Sequence, residues 1–502
     1  MSLKSNILAN YLGQGWTALM GIAFVPIYIK YLGLEAYGLI GALITLQALF
    51  SLLDMGMTPT LQREMARFSG GAHTPQSIRE LLHSIEVICV GFSFLIAISV
   101  WSVSGWLAQN WFHAEHLSVT TIEEAIATIG LIIALRFVEG IYRGTLLGLQ
   151  THVWLNGASS IFSTLRGVGA IIILAWFSPT IKAFFLWQAC ISFATVVTFA
   201  VRVHHSLPPA LQPVHFSRLA LLNIWGFAKG MIATTLLTLL LTQLDRILLS
   251  RFLSLEAFGT YSFAAAVANS LLNIIGPIAQ GYYPHFTELL TRNDEPGLIA
   301  AYHKGSQLMT VILIPATLML IFHSETILTI WSRNPGLAKA AAPLIAVIAM
   351  GTALNGLMTI PYMLQLAYGL SSFMAKVNVI AVVILIPIQL WAISRFGTFG
   401  AAWVWVTLNA NYIFVVIPIM HRRLLPKEKW IWYRRDFIFP TLSAFLMGLF
   451  LTFAFPITGR TLFSVLGLIS YGLAMTVAAA FAASDLRNFV FAKFRKMRTE
   501  SL

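Results

Sequence analysis

Charge is what this chain has least of. Only 10% of its 502 residues are Asp, Glu, Lys or Arg, against about 25% in soluble domains. So few charges cannot cover a water-facing surface of ordinary size, which excludes a soluble globular fold. Cysteine is nearly absent. Cys89 and Cys190 both fall inside apolar stretches, so they read as small core residues rather than a disulfide or a metal site. No glycine-rich phosphate loop is present, which excludes an ATP motor within the chain. The histidines are scattered, and His204-His205 has no metal-ligand spacing with a nearby acid. No catalytic constellation emerges, and an enzyme is not expected. No cofactor is expected either. The apolar run after Lys4 lacks a short core with a small-residue cleavage pattern, so the first span is expected to act as its own uncleaved insertion signal.

Apolar residues fill the place of the missing charge. They make up 58% of the chain, and the mean hydropathy is +0.79. A membrane span needs about 20 mostly apolar residues. The pattern predicts fourteen, over residues 8–29, 38–61, 81–106, 122–147, 153–177, 181–202, 220–249, 258–283, 305–330, 338–365, 372–394, 398–420, 437–457 and 461–483. Connections are short, and the longest outward loop, at 107–121, leaves no room for an external domain. The net charge of +13 would suggest nucleic acid in a soluble protein, but here it lies mostly between apolar runs. With the N-terminus inside, inward segments carry about three times as many Lys and Arg as outward ones, as the positive-inside rule requires. Both termini are therefore expected in the cytoplasm, and no nucleic-acid partner is expected. The tail from Arg487 to Arg498 is expected to lie on anionic lipid or to serve as a topology signal.

The chain repeats itself. Tyr31-Leu32-Gly33-Leu34-Glu35-Ala36-Tyr37-Gly38 follows the first span, and Phe252-Leu253-Ser254-Leu255-Glu256-Ala257-Phe258-Gly259 follows the seventh, 221 residues later. A weaker echo pairs Gly148-Leu149-Gln150 with Gly369-Leu370-Ser371. Six spans separate the copies, which predicts two parallel six-helix lobes related by an axis along the membrane normal. The expected organisation is an all-α polytopic membrane protein with lobes at 1–210 and 211–425, an appended helix pair at 426–486 and a basic tail at 487–502. Prolines such as Pro315 and Pro387 within second-lobe spans are expected to permit bends.

Several spans carry polar residues on one helix face. Asn10, Gln14 and Thr17 line the first, Gln47, Ser51, Asp54 and Thr58 the second, and Asn156, Ser159, Ser163 and Arg166 the fifth. Small and hydroxylated residues also serve plain helix packing. Charges are more telling, because an Arg at a helix centre costs about 2.5–3.5 kcal/mol on insertion scales. Arg136, Glu139 and Arg143 share one face of the fourth span, and neither Arg166 nor Asp54 has an opposite charge within its own helix. They predict either a water-filled, net cationic cavity or a set of interhelical ion pairs. Asp245 and Arg246, near an outer end, fit a local pair, snorkelling or a ligand role. Lys229 fits snorkelling alone.

The motifs Tyr-Leu-Gly…Glu-Ala-Tyr-Gly at 31–38, Leu53-Asp54-Met55-Gly56-Met57 through Arg63-Glu64, Tyr142-Arg143…Gly148-Leu149-Gln150, and Gln243…Asp245 with Glu256-Ala257-Phe258-Gly259 give the chain a likeness over most of its length. It resembles the polysaccharide flippases, the O-antigen and lipid-linked oligosaccharide translocases of the multidrug/oligosaccharidyl-lipid/polysaccharide exporter superfamily. The resemblance implies a MATE-like fold in the bacterial inner membrane. It also implies transport of an undecaprenyl-diphosphate-linked glycan to the outer leaflet by alternating access, coupled to H⁺ or Na⁺, with a polysaccharide polymerase and chain-length proteins as further partners. Arg136, Arg143 and Arg166 would meet the diphosphate by chemistry, and Arg246, Asn10 and Gln14 complete the expected set for the diphosphate and glycan. Asp54, Glu139 and Asp245 would serve ion coupling. Alternatives within the superfamily are a multidrug/cation antiporter, which would want net negative charge in the cavity, and a peptidoglycan-precursor flippase. Outside it stand a membrane glycan polymerase or ligase, for which the outward loops are short, and a non-transporting scaffold.

Overall fold

The computed structural model describes residues 3–50, 54, 57–210, 212–457 and 461–488. The side chains of 3–11, 219–235, 274, 277, 280, 371, 372 and 462 are not among those described. Asn10, Ser51, Lys229 and the basic tail beyond 488 therefore lie outside the described residues.

The chain is helical throughout, and among the described residues no strand forms. The helices are α1 (Leu3–Ala23), α2 (Val25–Phe50), α3 (Met57–Ser69), α4 (Pro75–Asn110), α5 (Val119–Gly148), α6 (His152–Ile172), α7 (Ile181–Ser206), α8 (Arg218–Phe252), α9 (Leu255–Asn269), α10 (Leu272–Thr291), α11 (Glu295–Ser332), α12 (Pro335–Leu357), α13 (Thr359–Ala367), α14 (Ser371–Asn411), α15 (Ile417–Leu424), α16 (Lys429–Ile431), α17 (Phe439–Ala454) and α18 (Leu462–Ala482). Ten segments among the described residues are long and apolar enough to cross a membrane. In a bilayer every backbone polar group must be satisfied within the segment, which is why apolar runs of this length become helices. One of the ten, 373–424, contains two of the predicted spans, and Gly397 breaks it with φ 57° and ψ −133°.

The chain divides into two compact units, 1–262 and 263–502. In the first, α5 packs along α3, α4 and α7, and α1 along α6. In the second, α11 packs against α12 and against the appended pair α17 and α18. The predicted second span crosses residues 51–53, 55 and 56, which lie outside the described residues; beyond them Met57–Ser69 is an amphipathic helix. A glycine stripe on α5 holds it close. A Cβ on Gly144 would stand 2.8 Å from the Thr58 carbonyl oxygen, and one on Gly148 would stand 2.3 Å from that of Gln62. Non-helical backbone inside α11 is at His323 and inside α14 at Gly397, while Pro315 and Pro387 lie within the helices. A proline forfeits one hydrogen bond but keeps a helical φ, whereas the Gly397 geometry is closed to other residues.

The repeat is visible in three dimensions. Leu34 corresponds to Leu255 and Gly38 to Gly259. A Cβ on Gly38 would lie 2.5 Å from the Leu255 carbonyl oxygen, and one on Gly259 would lie 2.2 Å from that of Leu34. The equivalent residues thus contact each other reciprocally, as a two-fold relation demands. Two further echoes appear in the backbone. Helices α3 and α10 both end in a turn with a left-handed residue, Gly71 and Asn293, 222 residues apart. Helices α5 and α13 end likewise at Gln150 and Gly369, 219 apart. All four close with the same pair of bonds, such as Thr151 N–H to Leu146 O and Gln150 N–H to Leu147 O, the Schellman arrangement that satisfies terminal carbonyls.

Candidate functional site

The first unit gathers four of the predicted residues, or their neighbours, around the inner faces of α2, α5, α6 and α7. Arg136 of α5 donates to Gln47 Oε1 of α2 at 2.6 Å. One turn further along α5, Glu139 is 3.2 Å from Arg166 of α6. The same guanidinium reaches Thr195 Oγ1 of α7 at 3.5 Å. Both partners of that ion pair are largely shielded, with side chains 23% and 14% exposed. Glu139 therefore meets the neighbouring helix, not Arg136 or Arg143 of its own. Arg143 is exposed.

The charge is not balanced. Two guanidiniums face one carboxylate, and among the described residues no acid lies within ion-pair distance of Arg136. The Nε atoms of Arg136 and Arg166 are both buried without a hydrogen-bond partner. Buried donors are ordinarily satisfied, so these two are suited to an anionic oxygen. Arg is the side chain that forks onto phosphate or carboxylate with two parallel bonds.

The other candidates lie apart from this cluster in their contacts. Asp54 stands between α2 and α3 and accepts the backbone N–H of Thr58 at 3.1 Å and its hydroxyl at 2.7 Å. Both contacts go to the second residue of α3. Asp245 accepts the hydroxyl of buried Tyr261, and Arg246 beside it is half-buried. Gln14 is exposed on α1, whose Gly13 packs against Asn156 of α6.

Two features went unread in the sequence. Glu35 of the first motif is 7% exposed. It accepts the backbone N–H groups of Glu115 at 2.5 Å, His116 at 3.0 Å and Leu117 at 3.0 Å. Leu255 N–H, from the second motif, donates to His113 O in the same loop at 2.8 Å. Repetition of the motif was the available signal. In the second unit, His303 stands between Asp436 and Glu428. No spacing could have announced that triad.

This helical architecture, with half-buried cations within membrane-length helices, defines a polytopic membrane protein of the flippase and multidrug-exporter fold. The chain belongs to the family described as "Polysaccharide biosynthesis protein", which matches residues 3–290. A curated relative from Shigella flexneri, described as "Putative O-antigen transporter", is 22% identical over 409 residues, spanning 81% of this chain and 94% of the relative. Among solved structures, the lipid II flippase MurJ in an inward closed conformation aligns with TM-score 0.67 at 12% identity, over 97% of this chain and all of that one. The MATE multidrug transporter DinF-BH aligns with TM-score 0.61 at 13% identity, over 84% and 95%. The relatives carry the names of transporters and flippases, not of enzymes. The fold is MATE-like, as the motif resemblance implied.

Proposed function

We propose that this protein moves a polyprenyl-diphosphate-linked oligosaccharide from the cytoplasmic to the outer leaflet of the bacterial inner membrane during surface polysaccharide biosynthesis. Both termini are cytoplasmic in this reading, and a polymerase and chain-length proteins receive the product. The observation that carries the proposal is the net positive Arg136–Glu139–Arg166 cluster with two unpartnered guanidinium Nε atoms. A diphosphate supplies oxygens for these donors. A cationic drug would be repelled by them, which disfavours the multidrug reading. Lipid II also carries a diphosphate, so a peptidoglycan precursor fits the same cluster. The name of the curated relative favours the O-antigen class. Coupling to H⁺ or Na⁺ is assigned to Glu139, with Asp54 and Asp245 as further carboxylates.

The test is surface appearance of the glycan in cells carrying Arg136→Ala, Arg166→Ala or both, with protein levels measured. A charge-assisted hydrogen bond is worth about 1.5–3 kcal/mol, so each single variant should weaken substrate binding roughly ten- to a hundredfold. Full transport by both singles and the double would overturn the proposal. Deleting the gene and identifying the lipid-linked glycan that accumulates inside would distinguish surface polysaccharide from peptidoglycan precursor.

A further inference from the structure

The appended helix pair is joined to α11 by a chain of polar groups that ends on a histidine. Asp485, just past α18, donates its backbone N–H to Gln307 Oε1 at 2.9 Å. That contact fixes the amide orientation, because a carbonyl oxygen can only accept. Gln307 Nε2 is then the donor to Asp436 Oδ1 at 2.8 Å. The other oxygen of Asp436 faces Nδ1 of His303, and Nε2 of the same ring lies 3.0 Å from Glu428 Oε2. Arg435 pairs with Asp485 on the far side. Asp436 and Gln307 are fully buried, and His303 is 3% exposed.

A neutral imidazole donates from one nitrogen only, and ionised carboxylates only accept. With a carboxylate oxygen at each ring nitrogen, one contact is repulsive unless an additional proton is present. A second histidine nearby shows the opposite arrangement. His421 Nδ1 lies 3.1 Å from the Ile417 carbonyl oxygen and Nε2 lies 3.0 Å from the Tyr302 hydroxyl. A carbonyl takes the Nδ1 proton and the phenol supplies one to Nε2, so that ring is satisfied when neutral. Tyr302 packs edge-on between the two rings. A cavity of about 520 Å³ touches His303 and is also lined by Glu295, Ile299, Arg435 and Asp485.

We propose that His303, Asp436 and Glu428 form a proton-binding site that latches the segment entering the appended helix pair onto α11 and exchanges its proton through the adjoining cavity. Loss of the proton to water there leaves a ring nitrogen facing a carboxylate and loosens the 428–436 segment from α11. The charged or titratable groups around the ring are Glu428, Arg435 and Asp436 from that segment and Asp485 from just past α18. From α15 comes His421, with Lys429 beside it, and from α11 come Glu295, Tyr302 and the adjacent Lys304. The proton site does not rest on the proposed function.

The experiment uses the full chain in phospholipid nanodiscs with ¹⁵N-labelled histidine. Ring nitrogens are read by NMR at pH 7, and amide exchange is followed over 428–440. One histidine should carry protons on both ring nitrogens. Its signal should vanish in His303→Gln, convert to a single tautomer in the Asp436→Asn/Glu428→Gln double variant, and be lost together with amide protection as pH is raised. Should His303→Gln not fold, Glu428→Gln identifies the signal by shifting one ring nitrogen only. A wild-type spectrum with no doubly protonated histidine overturns the proposal without any variant. So does amide protection that ignores the conversion of that signal. Neither readout depends on transport, so failure of the flippase reading leaves this result standing, and the reverse also holds.

Discussion

Replacing Glu35 by alanine removes one carboxylate from three backbone N–H groups, those of Glu115, His116 and Leu117. A hydrogen bond to a charged group contributes about 1.5–3 kcal/mol when its partner is left stranded. Here Glu115 and His116 are exposed and Leu117 is half-buried, so freed amides reach water and the low end applies. The same carboxylate lies just before the start of α5, capped by Ser118, where negative charge favours the helix dipole by about 0.3–1 kcal/mol. A net loss of about 2–4 kcal/mol follows. Glu256 occupies the same place in the second motif but is exposed in the first turn of α9. Its alanine variant should stay within about 0.5 kcal/mol of wild type. Hydrogen exchange of amides 115–117 in detergent-solubilised protein reads the difference directly. Glu35→Ala should lose protection by about thirtyfold or more, since 1.4 kcal/mol is tenfold, and Glu256→Ala should lose none there. Unchanged protection in Glu35→Ala, or equal loss in both variants, would refute the clamp.

Two more outcomes follow from close contacts. Gly148→Ala puts a Cβ against the Gln62 carbonyl oxygen and should cost about 1–3 kcal/mol by overpacking. Gly91→Ala on exposed α4, with nothing within 4 Å, should be neutral or stabilise by about 0.5–1 kcal/mol. Paired thermal melts check both, and equal melting points would contradict the glycine stripe. For the Glu139–Arg166 pair, Glu139→Gln leaves a shielded guanidinium without its acid, and Arg166→Met strands the carboxylate. The double variant should be more stable than the sum of the singles implies, with a coupling of about 0.5–3 kcal/mol. It should still fail to transport. Additive singles would mean that the pair does not interact.

The membrane spans were legible because lipid imposes one demand, about 20 apolar residues with internally satisfied backbone, and composition alone reports it. What α3 packs against was not. Met57, Leu61 and Met65 are apolar and buried, and α3 lies along α5, a contact that hydropathy alone does not contain. The arginines at 136 and 166 were visible as costly residues, but their partners were not. Glu139 finds Arg166 through the relative rotation of α5 and α6, which no single-helix periodicity contains. His303 lies 125 and 133 residues from its two carboxylates, beyond any local pattern. The second echo sits two residues apart in sequence and in backbone. The sequence echo pairs Gly148 with Gly369, while the left-handed turn pairs Gln150 with Gly369. Turn geometry is kept by a left-handed residue, which can be Gly in one copy and Gln or Asn in the other.

The contact between Gly38 and Leu255, mirrored by Gly259 and Leu34, ties the histories of the two halves together. Each glycine is small for the benefit of the other copy's main chain. A side chain added at position 38 is felt at 255, and one added at 259 is felt at 34. Glu35 and Glu256 have taken different environments, one buried and one exposed, but at these four positions a change in one half is tolerated only as far as the other half yields. A contact of this self-complementary kind is the one a dimer of two single-repeat chains would make. Fusion into one chain would replace a concentration-dependent association with an intramolecular one.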